Sequence, residues 1–452
     1  MGVYQIEKGH NLPIAGSAKL KLEELPQSQT VAVNFVDFPG RKYRVLVKEG
    51  DVVKAGQAIA HCKSEKDLNF TSTAAGKVKA INRGARRVLL SIVIEVSDTD
   101  NAVEHPTWDE EKIKSADMAA LATALRESGM WTLIRQRPFS NLAVLADLPK
   151  SIFINAMNSG PNNSDQEFLL EGRKEEFSLG LAALAKFTEG NVNLFTQEGT
   201  ISPALVEATG VEKHSVTGPH PSGLTGTHID LVDPISKGDV VWYLKADQVA
   251  LIGEFLLTGR APTHQIIAVT GEQAPINHYV KVNRGSDVAS IVKVDHAALR
   301  VVSGDVLSGD TKSASDHLGL YHNQISVLPE ATEQHYLGED RHWAGAGVNR
   351  YSTFRLFLSK IIDKEGWDFD TSLNGEGRAI VLPDVYDRFS PIDIPFTFLV
   401  KACLAEDVDA MEKLGILELD PEDVALATFA CPSKTEVSEI IRRGLAIVEK
   451  EG

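Results

Sequence analysis

The chain is 452 residues long and 43% of its residues are hydrophobic, which is more than one core usually organises, so we expect two to four domains of ordinary soluble composition. Its 46 basic and 62 acidic side chains give a formal net charge of −16. This balance excludes sequence-independent binding to nucleic acid, because clustered Lys and Arg side chains must replace the counterions of a polyanion.

The cysteines and the apolar runs indicate a cellular location. Cys62, Cys403 and Cys431 lie far apart, without a CxxC motif, and no signal-like apolar segment stands at the amino end. This pattern is typical of the reducing cytosol. The longest apolar runs, which begin at Val88 and Val249, are far shorter than the ~20 residues that span a bilayer. We therefore expect that the chain does not cross a membrane.

Charge is unevenly distributed along the chain. Residues 41–87 contain twelve Lys or Arg and four Asp or Glu, whereas residues 405–423 contain eight acidic residues and one basic residue. Two solvated surfaces are one explanation. Docking to another protein of a complex or to an anionic headgroup layer is the other.

Residues 1–100 are predicted to form a small all-β domain with an N-terminal strand, because short alternating apolar runs are separated by turn glycines. The pattern EGDVVKAGQAIA, followed by AAGKVKAI, resembles the barrel-sandwich fold of biotinyl and lipoyl carrier domains. Those domains present a modified lysine at a hairpin tip. Here Lys63 and Lys66 lie in the hairpin without the expected neighbours, and the aligned carrier position falls on Glu65. We predict an unmodified barrel.

A helical connector is predicted for residues 101–148, and a Rossmann-like α/β domain for residues 149–268. In the latter, one long amphipathic helix from Asp165 to near Gly190 separates two buried-type strands, which indicates a βαβ crossover and a parallel sheet. The turn NSGPNNSD after the first strand has a single glycine, whereas the dinucleotide fingerprint needs several. We do not expect a nicotinamide nucleotide at this turn.

The remainder of the chain is predicted in three parts. Short strands return in residues 269–330, for which we expect a small β-grasp-like domain. Residues 331–390 are predicted to be an irregular connector that includes FRLFLSKIID, and residues 391–452 a helical C-terminal domain with apolar residues at i, i+3 and i+4. The expected fold class is therefore a multidomain α/β and β protein.

The densest chemical signal is the stretch TGPHPSGLTGTHI at 217–229, which contains His220 and His228. Its Gly and Pro residues favour a defined loop, and loops at strand ends are where sites are usually assembled. A structural loop, a ligand or quinone contact, and a metal site remain open, although two histidines eight apart form a poor metal signature. GxSxG, HExxH, P-loop and CxxC motifs are absent, so we do not expect catalysis by the isolated chain.

Five stretches, in one order from about Ile6 to Val448, carry a resemblance to a known family: KGHNLPIAGSA, FTSTAAGKVKAINRGARRVLLSIVIEV, SGMWTLIRQRPFS, TGPHPSGLTGTHI and ELDPEDVALATFACPSK. They closely resemble the A subunits of the sodium-translocating NADH:quinone oxidoreductases of bacteria. Those proteins are themselves similar to the flavin-bearing subunit of respiratory complex I and to a component of the electron-transport complex of nitrogen fixers. In those relatives a Gly-rich loop holds flavin mononucleotide, and several cysteines hold a [4Fe–4S] cluster.

The chain departs from those flavin-bearing relatives at both cofactor sites. Where the flavin loop should fall, Trp131, Leu133 and Ile134 stand in place of small residues. Where the cluster ligands should fall, Cys431 alone remains, and one thiolate cannot hold a cluster that needs four. The resemblance therefore implies the fold of a redox protein with no cofactor or metal on this chain. The complex would use NADH, flavins, Fe–S clusters and quinone on partner subunits.

The resemblance implies a peripheral subunit on the cytoplasmic face of the bacterial inner membrane. The complex would be a respiratory pump that couples NADH oxidation and quinone reduction to Na⁺ export, with membrane-embedded and flavin-bearing subunits as partners. A quinone headgroup needs apolar surface beside hydrogen-bond donors. Candidate quinone contacts are Trp131, Arg135, Arg137, Phe139, His220 and His228. The alternatives are a biotin- or lipoyl-dependent enzyme, an independent NADH dehydrogenase, or a structural scaffold without a ligand.

Overall fold

The computed structural model describes residues 2–97, 99, 101–331, 351, 353, 366–373, 375–380 and 384–451. The strands in these ranges are β1 (Gly2–Gln5), β2 (Lys19–Glu24), β3 (Thr30–Asn34), β4 (Tyr43–Val45), β5 (Val52–Val53), β6 (Ala58–Cys62), β7 (Asn69–Thr71), β8 (Gly76–Arg83), β9 (Leu89–Val96), β10 (Arg135–Arg137), β11 (Asn141–Leu142), β12 (Ser151–Asn155), β13 (Val192–Gln197), β14 (Glu212–Thr217), β15 (Val241–Lys245), β16 (His264–Thr270), β17 (His278–Asn283), β18 (Leu299–Ser303), β19 (Asp310–Lys312) and β20 (Gln324–Pro329).

The α-helices in the same ranges are α1 (Glu110–Ser115), α2 (Met118–Glu127), α3 (Gln166–Leu169), α4 (Lys174–Leu184), α5 (Pro203–Val206), α6 (Thr225–Val232), α7 (Ala246–Thr258), α8 (Val288–Ile291), α9 (Phe396–Leu404), α10 (Val408–Lys413), α11 (Ala425–Ala430) and α12 (Val437–Glu451). No helix in the described parts of the chain combines the length and the apolar character that a membrane span requires.

Two small antiparallel sheets form the β domain near the start of the chain. One has the strand order β3-β9-β8-β5 and the other the order β4-β6-β7. Ile59, Phe70 and Ile92 from the two sheets are buried in one core, because alternate side chains of a strand point to the same face. The glycines in the turns on either side of β5, Gly50 and Gly56, have φ values of 93° and 76°. They permit a left-handed backbone at turns that the sequence predicts there.

The first two strands pair with sheets outside this β domain. β1 runs parallel to β14, and β2 runs parallel to β17. Both pairings join residues that are far apart in the sequence. The amino-terminal segment therefore contributes an edge strand to each of two further sheets, and the two small barrel sheets begin with β3.

The central sheet has seven strands in the order β1-β14-β13-β12-β15-β10-β11. The first five are parallel, while β10 and β11 extend the sheet in antiparallel fashion. On β12, Ile152 and Ile154 pack in the core that contains α4 and α7. Phe153, between them in sequence, packs in a separate core with Ile229 of α6. Helices thus cover both faces of the parallel strands.

The prediction of a single helix from Asp165 to near Gly190 is wrong. Asp165 does cap α3 by accepting two backbone N–H groups, but the chain leaves helical geometry after α3, and α4 begins only at Lys174. Gly172 lies between the two helices with φ +74°. A residue in this left-handed conformation ends a helix.

A six-stranded sheet of order β19-β18-β20-β16-β17-β2 forms a second β unit. Its core contains Ile267, Val280 and Ile325. Its strand β16 starts at His264, inside the segment 149–268 that the sequence assigns to the α/β domain.

The end of the described chain is helical. Helices α9, α10 and α12 pack around a core that includes Leu399, Met411 and Ile441. Most of the connector predicted for 331–390, including FRLFLSKIID, lies outside the described residues.

Helices α4 and α7 are packed closely enough to require glycine at their contact. A Cβ atom added at Gly253 would collide with the backbone carbonyl of Glu176, and one added at Gly180 would collide with that of Val249. We predict that Gly253→Ala lowers the free energy of unfolding by roughly 1–3 kcal/mol, because the helices must move apart. Gly377→Ala is the control, since Gly377 has open space around it. Equal denaturation midpoints for both variants and the wild type would contradict this packing.

Candidate functional site

The hairpin between β6 and β7 occupies the place where a carrier domain would present its lysine. Lys63 and Lys66 are exposed, and Glu65 forms ion pairs with Arg41 and, at 2.9 Å, with Arg126 of α2. Arg126 also binds Asp67 through two hydrogen bonds of 2.7 and 2.8 Å. Because the Arg126 guanidinium is almost fully buried, the hairpin tip is fastened to α2.

A polar cavity of about 220 Å³ lies at the carboxyl ends of β12, β13 and β14. Its wall combines Met157 and the following turn with Gln197, Thr217 and Gly218. All of its lining residues are uncharged, and amides and hydroxyls predominate among its polar groups. The carboxyl edge of parallel strands is where α/β proteins usually bind ligands, so this cavity is the candidate ligand site.

His220 lies beside the cavity. Its Nδ1 is 3.1 Å from Oγ of Ser159, a cavity-lining residue, and its backbone N–H donates to the side chain of Asn11 at 2.8 Å. Burial lowers the pKa of His220 to about 4. The ring is therefore neutral near pH 7.

His228 lies in the first turns of α6. Its ring stacks on Phe195 with centroids 4.2 Å apart, and its Nε2 is 3.0 Å from the carbonyl oxygen of Ser222. Burial lowers its pKa to about 3. Ser222 in turn donates to the carbonyl of Gly218. These contacts show a loop whose side chains largely bind the loop itself.

Trp131 lies in the hydrophobic core. It is fully buried, its Nε1 donates to the carbonyl oxygen of Ala143 at 2.8 Å, and its ring packs edge-on against Phe187 and Trp242. A ligand could reach this ring only if the core opened.

Arg137 is fully buried at a joint between the central sheet and the C-terminal helices. Its Nη1 lies 2.8 Å from Asp423 and its Nη2 lies 3.3 Å from Glu422. Burial raises the pKa of the Asp423 carboxyl, and the positive charge of Arg137 opposes that increase. The same carboxylate lies directly against Gly226 in the first turn of α6, where any side chain would collide with it.

Arg135 and Phe139 belong to the same joint. The Arg135 guanidinium lies between the rings of Tyr243 and Tyr321, at 5.1 and 4.8 Å from their centroids. Phe139 packs against the core of the C-terminal helices. Such cation–π contacts stabilise a buried cation. The six sequence-predicted residues thus occupy three places, and only His220 lies beside the cavity.

The five stretches that carry the family resemblance meet one another in space. Arg137, Gly226 and Asp423 join three of them around one carboxylate. The first stretch joins the loop through a hydrogen bond from the His10 N–H to the His220 carbonyl, 2.7 Å long. Thr71 of the barrel donates to the Ser128 carbonyl, at the start of SGMWTLIRQRPFS. The sequence did not predict this convergence. A signal was available, because the two arginines in an apolar segment need acidic partners and the acidic run at 420–423 could supply them.

The described residues contain no group of three or more His, Cys, Asp or Glu side chains that could hold a metal ion. Cys62, Cys403 and Cys431 are all buried and unpaired with one another. The sulfur of Cys431 lies 3.1 Å from the hydroxyl oxygen of Tyr386.

Comparison with protein families identifies two domains. Residues 4–97 match the NqrA N-terminal barrel-sandwich hybrid domain, and residues 116–261 match the NqrA second alpha/beta domain. A full-length relative, the A subunit of the Na(+)-translocating NADH-quinone reductase of Saccharophagus degradans, is 38% identical over 99% of this chain and 100% of its own length. The chain belongs to this NqrA family.

Other members of the NqrA family are similar in sequence over the same length. The Marinomonas protein is 38% identical over 100% of both chains, and that of Neisseria meningitidis serogroup B is 36% identical over 99% of this chain and 100% of its own. Among solved structures, an NAD⁺-reducing [NiFe]-hydrogenase chain covers 50% of this chain and 52% of its own at 12% identity and a TM-score of 0.32. That similarity is too low to support an argument.

We predict that Arg137→Met lowers the free energy of unfolding by roughly 3–5 kcal/mol, because it leaves Asp423 and Glu422 at the joint without their cation. Adding Asp423→Asn should recover part of the loss. Arg442→Met is the matched control, since Arg442 pairs with Glu439 on an exposed helix face, where a pair contributes less than about 1 kcal/mol. Chemical denaturation measures the free energy of unfolding of the wild type, the two single variants and the double variant. A loss no larger than that of the control would contradict the buried pair.

The buried His228 predicts a pH dependence of stability. Because its pKa is about 3 in the folded protein and near 6.5 when unfolded, unfolding takes up a proton between these values, so stability falls as pH falls below 6.5. His228→Phe should reduce this slope by up to about 1.4 kcal/mol per pH unit near pH 5. Denaturation curves from pH 5 to pH 8 test it. Parallel pH profiles for the two proteins would show that His228 does not titrate this way.

Proposed function

We propose that this chain is the peripheral A subunit, on the cytoplasmic face of the inner membrane, of a Na⁺-translocating NADH-quinone reductase. The observation that carries this proposal is the match over 99% of the chain and 100% of a relative of that name. The barrel supports it too, because Glu65 and Arg126 tie down the hairpin that a carrier domain would leave free.

We further propose a domain arrangement and a division of labour. The scaffold would consist of a Rossmann-like central domain and a β-grasp-like second β unit. Their limits would be those predicted from the sequence. Flavin, Fe–S and NADH chemistry would take place on membrane-embedded and flavin-bearing partner subunits. Support comes from the bulky, buried Trp131 where related flavin subunits have small residues, and from Cys431, which belongs to no group of three or more potential metal ligands in the described chain.

The contribution of this protein to quinone reduction would be chiefly structural. Arg135, Arg137 and Phe139 hold the joint to the C-terminal helices, and Trp131 holds the core. Of the six candidate quinone contacts, His220 has the best position, because it binds Ser159 in the wall of the polar cavity. Photoaffinity labelling of the assembled, active complex with a quinone analogue should mark residues around this cavity if the quinone reaches it.

A carrier-domain enzyme is the second candidate, and the exposure of Lys63 and Lys66 is the observation in its favour. Intact-mass measurement of the chain from its native host separates the two. An added biotinyl or lipoyl mass on either lysine would favour the carrier, whereas the unmodified mass is expected from our proposal.

We predict that the tagged chain, purified from mildly solubilised host membranes, brings with it membrane-spanning flavin and Fe–S subunits and Na⁺-stimulated NADH:quinone reductase activity. The same tag on an unrelated cytosolic protein is the control. Recovery of the chain alone, while other membrane complexes in the extract remain intact, would overturn the proposed membership.

A further inference from the structure

The barrel domain carries an exposed basic tip, which we define as residues 83–90 at the end of the β8–β9 hairpin. We propose that this tip docks on the anionic phospholipid surface of the membrane. The proposal rests on the proposed function, which places the chain against a membrane complex.

The hairpin has a concentrated positive charge. Five basic residues and no acidic residue occur between positions 76 and 94: Lys77, Lys79, Arg83, Arg86 and Arg87. All five side chains are exposed. Within the described residues, the tip arginines make one polar side-chain contact, from Arg83 to the carbonyl oxygen of Arg87 at 3.2 Å, and that contact neutralises no charge. The tip is thus a cationic surface inside a chain of net charge −16.

The backbone of the tip places arginine where glycine would be more stable. Arg86 and Arg87 have φ values of 52° and 60°. Residues with a Cβ atom adopt this left-handed conformation at a cost that glycine avoids. An unfavourable conformation at two consecutive exposed arginines indicates that their charges, rather than local stability, explain their presence.

Aliphatic side chains accompany the arginines. Val88 is 58% exposed and Leu90 is 37% exposed, and Leu90 lies over Gly84 of the turn. Basic and aliphatic side chains on one exposed tip suit the boundary between headgroups and acyl chains, where both kinds of contact are available.

A lipid surface fits this tip better than a protein partner. A stable protein interface buries about 800 Å² on each side and involves about 20–30 residues, whereas the tip is the end of a single hairpin. Lipid headgroups require no fixed shape. The acidic remainder of the chain would be repelled by the same anionic layer, so binding through the tip would also orient the protein.

The test is co-sedimentation of the purified full-length chain with vesicles of phosphatidylcholine alone or with about one third phosphatidylglycerol. We expect binding to the anionic vesicles at about 0.1 M salt and its loss near 1 M salt, where charges are screened. Arg86→Gly/Arg87→Gly should weaken partitioning roughly tenfold or more, because each basic side chain near the surface contributes about a fivefold factor. Its thermal midpoint should stay equal or rise, because glycine relieves the left-handed backbone.

The control is Arg442→Gln/Arg443→Gln, which removes another exposed arginine pair, from α12. It should bind vesicles like the wild type. Failure of the wild type to bind anionic vesicles, or equal losses in both double variants, would overturn the proposal.

The outcomes also separate this inference from the proposed function. If the chain co-purifies with its complex but does not bind anionic vesicles, only the lipid contact is refuted. If the glycine variant then loses its partner subunits, the tip is a protein contact. A chain that binds vesicles but recovers no partners refutes complex membership alone.

Discussion

The buried carboxylate of Asp423 is the contact on which the arrangement of the domains depends. It receives the Arg137 guanidinium from the antiparallel edge of the central sheet and lies against Gly226 at the start of α6. A charge buried this deeply is tolerated only while its partners stay in place. Separating the sheet from the C-terminal helices would leave Asp423 and Arg137 uncompensated, and Gly226 of the loop lies too close to the same carboxylate for a side chain to fit.

A second cluster of ion pairs, around the buried Arg126, fixes the barrel. Arg126 of α2 binds Glu65 and Asp67 on the hairpin tip, and its guanidinium also lies 5.6 Å from the ring centroid of Trp131. The stretch around Trp131 is thus held between the barrel on one side and the Asp423 joint on the other. Trp131, Leu133 and Ile134, the bulky residues that stand where a flavin loop would need small ones, fill the space between the barrel and the joint.

Local pattern was enough to predict much of the fold. Alternation and turn glycines indicated the barrel, and buried runs such as SIFIN indicated the parallel strands, because both depend on nearest neighbours in the chain. The break at Gly172 was missed because apolar spacing does not report a positive φ. The pairings of β1 and β2 were missed because no local signal specifies a partner strand so distant in sequence.

The candidate site was harder to predict for a related physical reason. The sequence singled out the motifs that contain Arg137 and His220 as candidate ligand contacts, but charged and Gly-rich stretches serve domain joints as readily as ligand sites. What separates the two uses is whether the polar atoms find protein partners. Arg137 finds two carboxylates and His228 finds a carbonyl and an aromatic ring, while the cavity beside His220 keeps neutral amides facing open space. The cavity combines unused hydrogen-bonding groups with open space, so the three-dimensional arrangement, rather than residue type, decides where a ligand could bind.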